Sequence, residues 1–144
     1  MPHNPRLILV VEDDADIRHS LEEVLEFSDI SVHVADDGDT ALEWLQSCNE
    51  QELPSLILLD LMMPRMTGYD FRWHQLQNER LAVIPTIIVS AHARIVTDCE
   101  MMKCENYLKK PFSVDELLTV IHGTGSSVRH DVKTKYERGP KTKR

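Results

Sequence analysis

Cysteine is scarce and unpatterned. Cys48, Cys99 and Cys104 form an odd set of three with no Cys-x-x-Cys spacing, which argues against a disulfide framework or a zinc knuckle and reads them as ordinary reduced thiols. Long apolar runs are missing too: no window approaches the roughly 18 uninterrupted residues that a membrane span requires. The N-terminal Met-Pro-His-Asn-Pro-Arg leads into only five apolar residues, Leu7 to Val11, too short for a signal-peptide core. A cytoplasmic protein with no membrane contact is therefore expected. Glycine numbers five, and neither Gly-x-x-x-x-Gly-Lys-Ser/Thr nor Gly-x-Gly-x-x-Gly occurs, so nucleotide binding has no support.

What is present fits one domain. The 144 residues, 42% hydrophobic and 28% charged, have the composition of a soluble globular chain. The net charge of -8 conceals an asymmetry. Residues 129–144 carry seven Lys or Arg against two acids, a net +5, which leaves -13 on residues 1–128. An acidic body repels nucleic acid and membrane surfaces and suits a divalent cation or a basic protein patch. We expect residues 1–125 to form the domain and 126–144 to be a basic tail, almost without apolar residues and unable to bury enough to fold alone. Contact with nucleic acid is expected at most weakly and through that tail, which is far too short for a helix-turn-helix module.

Short apolar runs alternate with amphipathic stretches. Arg6 to Val11, Ile30 to Ala35, Leu56 to Leu59, Thr86 to Ser90 and Asn106 to Lys109 read as strands, the first nearly continuous in apolar residues as in a sheet covered on both faces. Between and after them, Asp14 to Phe27, Thr40 to Cys48, Tyr69 to Glu79, a weaker His92 to Met102 and the segment after Ser113 read as helices. Ser113-Val-Asp-Glu116 has the form of a capping box, and Gly123 with Gly125 marks the last helix's stop. Five strand-and-helix repeats imply right-handed crossovers and a doubly wound α/β domain, a five-stranded parallel sheet flanked by five helices.

In such sheets ligands sit at the carboxyl ends of the strands. Glu12, Asp13 and Asp14 stand there after the first strand, Asp60 after the third, Ser90 and Ala91 after the fourth, and Lys110-Pro111 at the fifth. Carboxylates brought together repel unless a cation neutralises them, and an all-oxygen set suits Mg2+. Lys110 supplies a balancing charge, Ser90 a hydroxyl, and an aspartate so placed is a competent nucleophile toward phosphorus. Asp14 reads better as a helix cap than as a ligand. His74 and His92 read as surface residues, Trp44 and Met66 as packing.

Val10-Val11-Glu12-Asp13-Asp14, Leu58-Leu59-Asp60 through Gly68, Val89-Ser90-Ala91 and Tyr107-Leu108-Lys109-Lys110-Pro111-Phe112, in this order and each at a strand end, resemble the receiver domain of two-component response regulators, CheY-like proteins, over about residues 6–122. The resemblance implies a flavodoxin-like strand order of 2-1-3-4-5. It implies that Asp60 accepts a phosphoryl group from a partner histidine kinase or histidine phosphotransfer protein, with Mg2+ held by Asp13, Asp60, the backbone carbonyl of Met62 and, through water, Glu12. Lys110 would contact the phosphoryl group. Ser90 and Tyr107 would form a switch that alters the contact with a downstream protein target, and a homodimer is compatible with this. Such a chain is a single-domain phosphoacceptor rather than an enzyme. Tyr107 read without the resemblance is simply an aromatic suited to a strand. The alternatives are an unphosphorylated docking module and an aspartyl-nucleophile phosphatase; the second needs an acid at position 62, where Met stands.

The sequence departs from the family pattern in one stretch. Ser90 and Tyr107 are 17 positions apart, about two fewer than expected, and Lys103-Cys104-Glu105-Asn106 stands where Gly-Ala usually precedes the fifth strand. A short, shifted or irregular fourth helix is expected there.

Overall fold

The computed structural model describes residues 5–124; the basic tail expected at 126–144 and the glycine at 125 lie outside them. Five parallel strands, β1 (Leu7–Val11), β2 (Ser31–Ala35), β3 (Leu56–Asp60), β4 (Thr86–Ser90) and β5 (Asn106–Lys109), form one sheet in the order β2-β1-β3-β4-β5. The inner strands β3 and β4 are buried at every position, which explains why Leu-Ile-Leu-Leu and Ile-Ile-Val follow no polar alternation. Register places Asp60 opposite Val89 and Ser90 opposite Lys109, so the polar residues that end these strands emerge at one rim.

Successive side chains point to opposite faces and divide the core in two. Ile8, Val10, Leu56, Leu58, Ile87 and Val89 pack beneath α1 (Ala15–Phe27) and α6 (Val114–His122). Leu9, Val11, Ile57, Leu59 and Ile88 pack beneath α2 (Gly38–Ser47), α3 (Gly68–Leu76), α4 (Glu79–Ala82) and α5 (Ile95–Met101). Among the described residues no helix is long and apolar enough to cross a membrane.

Six helices are described where the sequence suggested five. The extra one arises because Tyr69 to Glu79 is not continuous: α3 ends at Leu76, and the Asn78 carboxamide oxygen accepts from Arg80 N–H (2.9 Å) and Leu81 N–H (3.3 Å), opening the four-residue α4. The expected shortness near position 95 holds. α5 has seven residues and starts at Ile95 rather than His92, behind an Arg94 that offers no side-chain cap. The expected caps are in place: Asp14 Oδ1 accepts from Ile17 N–H at 3.0 Å, and Ser113 and Glu116 form a reciprocal box. The last helix closes on Gly123 in a right-handed conformation (φ -85°) rather than a left-handed one. The Thr124 hydroxyl satisfies the Val120 carbonyl at 2.7 Å there.

Candidate functional site

With Asp14 occupied as the α1 cap, Asp13 is left exposed at the rim of β1, while Glu12 turns inward and is 2% exposed. Glu12, Asp13 and Asp60 each place a carboxylate oxygen within 4.8 Å of the others. Asp60 is 4% exposed. Lys110 Nζ reaches in from the end of β5, 3.4 Å from Glu12 Oε1 and 3.6 Å from Asp60 Oδ1. Its own backbone N–H donates to the Ser90 carbonyl at 2.9 Å, which fixes the lysine against β4, and the Lys110-Pro111 peptide is cis. The Glu12 side chain is braced by the Asp14 N–H (3.2 Å), and Arg18 ties the carbonyls of Glu12 and Asp13 at 2.9 and 3.3 Å.

One ammonium does not neutralise three clustered carboxylates. Burial first, and then the charge of Glu12, push the Asp60 carboxyl up to about 7, with Lys110 opposing them. This excess of negative charge among oxygen donors is what a hard divalent cation relieves. Met62 follows at the mouth with its side chain 64% exposed, and its N–H donates to Asp60 Oδ1 at 3.3 Å. Ser90 stands at the end of the neighbouring strand, buried, with its Oγ accepting from His92 N–H at 3.0 Å. Tyr107 lies on β5 opposite Ile88, half-buried against the α2 to α5 side of the core, where burial raises its phenol. Glu12, Asp13, Asp60 and Lys110 thus form one cluster, Ser90 borders it, and Tyr107 stands apart on the face behind.

The loop after Asp60 returns to the sheet through Gly68, whose N–H donates to the Leu61 carbonyl at 2.9 Å. A Cβ on Gly68 would lie 2.5 Å from the Asp60 carbonyl oxygen and 2.7 Å from Leu61 Cα, both backbone atoms with little freedom to retreat. Gly68→Ala is therefore expected to destabilise the fold by about 2 kcal/mol or more, read as a lower urea midpoint at unchanged slope. Upstream, Arg65 takes a left-handed conformation (φ 63°) and pairs with Asp37, the α2 cap, at 2.8 Å.

Sequence reasoning missed Asp98, beside this rim, and Arg72, at the opposite, amino end of β4. His92 is exposed, as the sequence suggested, and its Nδ1 bonds Asp98 Oδ2 at 2.9 Å. Asp98, on α5 and 9% exposed, also lies near enough to Tyr69 of α3 for its charge to help raise that phenol, after burial. Arg72 of α3 is buried beneath α5. The only signal of Arg72 was its place in the stripe of Phe71 and Gln75, which marks it as inward-facing without naming its partners.

Comparison with known proteins agrees with this geometry. The family model described as the response regulator receiver domain matches residues 8–122. "Response regulator Rre1" of Synechocystis sp. is 30% identical over 120 residues, covering 81% of this chain and 50% of that protein. The "alkaline phosphatase synthesis transcriptional regulatory protein SphR" of Synechococcus elongatus is 37% identical over 119 residues, covering 77% and 45%. The chain thus spans about half the length of these curated relatives. Among solved structures, the Mn(2+)-bound form of response regulator Rcp1 superposes with a TM-score of 0.67 at 30% identity, covering 83% of this chain and 91% of that one. A sheet ordered 2-1-3-4-5 with its acids, lysine and hydroxyl at one rim, and a family match over most of the chain, together place this protein in the receiver-domain family of response regulators.

Proposed function

We propose that Asp60 is the phosphoacceptor of this receiver domain. The observation that carries the reading is the convergence of Asp60 with Glu12, Asp13 and Lys110 at the sheet's carboxyl rim. An Asp60 carboxylate oxygen attacks phosphorus, and the bond from phosphorus to the donor breaks, a histidine nitrogen of a kinase or phosphotransfer protein departing with the electron pair. Asp13, Asp60 and the Met62 carbonyl would hold Mg2+, with Glu12 acting through water; the ion supplies charge neutralisation for the phosphoryl oxygens. Lys110 contributes a positive charge to those oxygens and the Ser90 hydroxyl a donor, while Asp13 and Glu12 keep the rim anionic enough to retain the cation. Ser90 and Tyr107 carry the change to a protein-binding surface for a downstream target. The unit spans residues 1–125, is followed by the basic segment 126–144, acts in the cytoplasm as a phosphoacceptor rather than an enzyme, and contacts no membrane.

Incubation with acetyl phosphate and Mg2+, read by intact mass and peptide mapping, tests this. One phosphoryl adduct on Asp60 is expected. Lys110→Ala should slow its formation by about 100-fold, the usual consequence of removing one preorganised charge from a developing anion. No adduct under conditions that modify a known receiver would overturn the reading.

A further inference from the structure

Ser90 Oγ does not point freely at the acidic cluster. It accepts a hydrogen bond from the N–H of His92, two residues on, in a side-chain turn that makes the hydroxyl's position depend on where the His92 backbone sits. The His92 backbone is in turn fixed by its side chain, because Nδ1 donates to Asp98 at 2.9 Å. His92 is half-exposed, but its acceptor is not: the Asp98 side chain is 12% exposed, sits on the buried side of α5, and lies close enough to Tyr69 for its charge to act on that phenol. Burial, followed by the Asp98 charge, raises the Tyr69 phenol, and Arg94 opposes this, so a charged guanidinium also faces the same carboxylate network. The His92 carbonyl accepts from Ile95 N–H at 3.2 Å, joining the loop to the start of α5. Groups from α3, α5 and the β4–α5 loop thus converge on one anchored carboxylate. A single chain of contacts runs from it to the hydroxyl beside Asp60.

We propose that Asp98 is a positioning residue for the phosphoryl site, latching the β4–α5 loop through His92 so that the Ser90 hydroxyl is held on the loop's own backbone. The inference rests on the reading of Asp60 as phosphoacceptor. The Ser90 Oγ that accepts from His92 N–H keeps its own proton to donate, but to move toward a phosphoryl group on Asp60, as the switch reading requires, it must carry that N–H along or leave it. The latch therefore opposes the phosphoryl-bound arrangement, and coupling between the two is reciprocal. Whatever disturbs Tyr69 or α5 alters the site, and occupancy of the site loosens the contact at Tyr69 and α5.

Beryllofluoride with Mg2+, a phosphoryl mimic, titrated by 19F NMR against the full chain, provides the test. His92→Ala, at a half-exposed position where folding is safe, should tighten beryllofluoride binding about 5-fold, the lower end of ordinary coupling energies. Asp98→Ala should do the same, and the double variant should show no further gain, because both changes break one contact. Asp98→Asn, which keeps an acceptor oxygen, should restore most of the wild-type affinity. A merely structural role would lower the urea midpoint in both single variants and leave affinity untouched. Wild-type affinity in His92→Ala, weakened binding, or effects of the two single changes that multiply would each overturn the latch. If the wild type itself acquires no phosphoryl group at Asp60 from acetyl phosphate, the underlying reading has failed instead.

Discussion

Asp60→Asn is expected to abolish the phosphoryl adduct and, with Mg2+ chelated, to make the protein more stable than the wild type above pH 7. The Asp60 carboxyl titrates in the fold at about 7 against an ordinary 3.8. Between those values the folded chain holds a proton that the unfolded chain has lost. This contribution to stability is fully present below about 3.8 and is lost as pH rises through about 7. Each pH unit of separation is worth about 1.4 kcal/mol, so the wild type forfeits up to about 4 kcal/mol on ionising this group, while asparagine has no proton to lose. Urea midpoints at pH 5 and pH 8 in a chelating buffer check the sign: the wild type should fall relative to the variant. Adding Mg2+ at pH 8 should then raise the wild type well above its chelated value and move the variant little, since Asp13 and Glu12 remain but the buried third carboxylate is gone. Parallel pH profiles would show that Asp60 is not held in the strained, uncompensated state its neighbours suggest.

The same crowding explains how much of the site was legible beforehand. A carboxylate, a hydroxyl and a lysine at the ends of apolar runs are misplaced by the logic of burial, and the sheet's topology gathers strand ends at one rim. Asp13, Asp60, Ser90 and Lys110 could therefore be read from position alone, and Asp14 could be separated from Asp13 because caps follow local rules. Side-chain alternation was equally readable in β5, where Tyr107 falls between the buried Asn106 and Leu108. Elements that depend on partners distant in sequence were not. The break after α3 hangs on the Asn78 side chain, which competes with helix continuation by accepting backbone N–H groups itself. The His92 contact spans six residues of an irregular loop and has no periodicity to betray it. Likewise, nothing local in Phe71-Arg72-Trp73 says that a guanidinium will find carbonyl acceptors 30 and 31 residues away.

Those carbonyls bear on the stretch where the sequence departs from its family. Lys103 takes the left-handed conformation (φ 58°) that a glycine would adopt without steric cost, directly after α5. Arg72 holds the turn together from beneath: Nε donates to the Met102 carbonyl at 2.9 Å, a terminal nitrogen donates to the Lys103 carbonyl, and the other bonds Gln75 Oε1 at 2.9 Å and Thr86 Oγ1 at 3.0 Å. Gln75 in turn donates to the Leu81 and Ile84 carbonyls, so a single buried polar network joins α3, α4, β4 and the end of α5. Arg72 is 3% exposed. Arg72→Ala takes the guanidinium donors from the Met102 and Lys103 carbonyls, Gln75 Oε1 and Thr86 Oγ1 and opens a cavity, and is expected to destabilise the domain by about 3 kcal/mol. Arg72→Met separates the two losses, since it refills most of the volume but supplies no donors; about half of the stability should return if packing and hydrogen bonding contribute comparably. Hydrogen exchange locates the damage. Protection should fall first at the amides of α5 and at Cys104, whose N–H bonds the Cys99 carbonyl at 3.0 Å, while β1 and β3 keep theirs until global unfolding. Uniform loss across the sheet would mean that Arg72 supports the whole core rather than the short helix. In the localised case, the residue that compensates for the missing glycine is also the one that keeps Asp98, and with it His92, in register with Ser90.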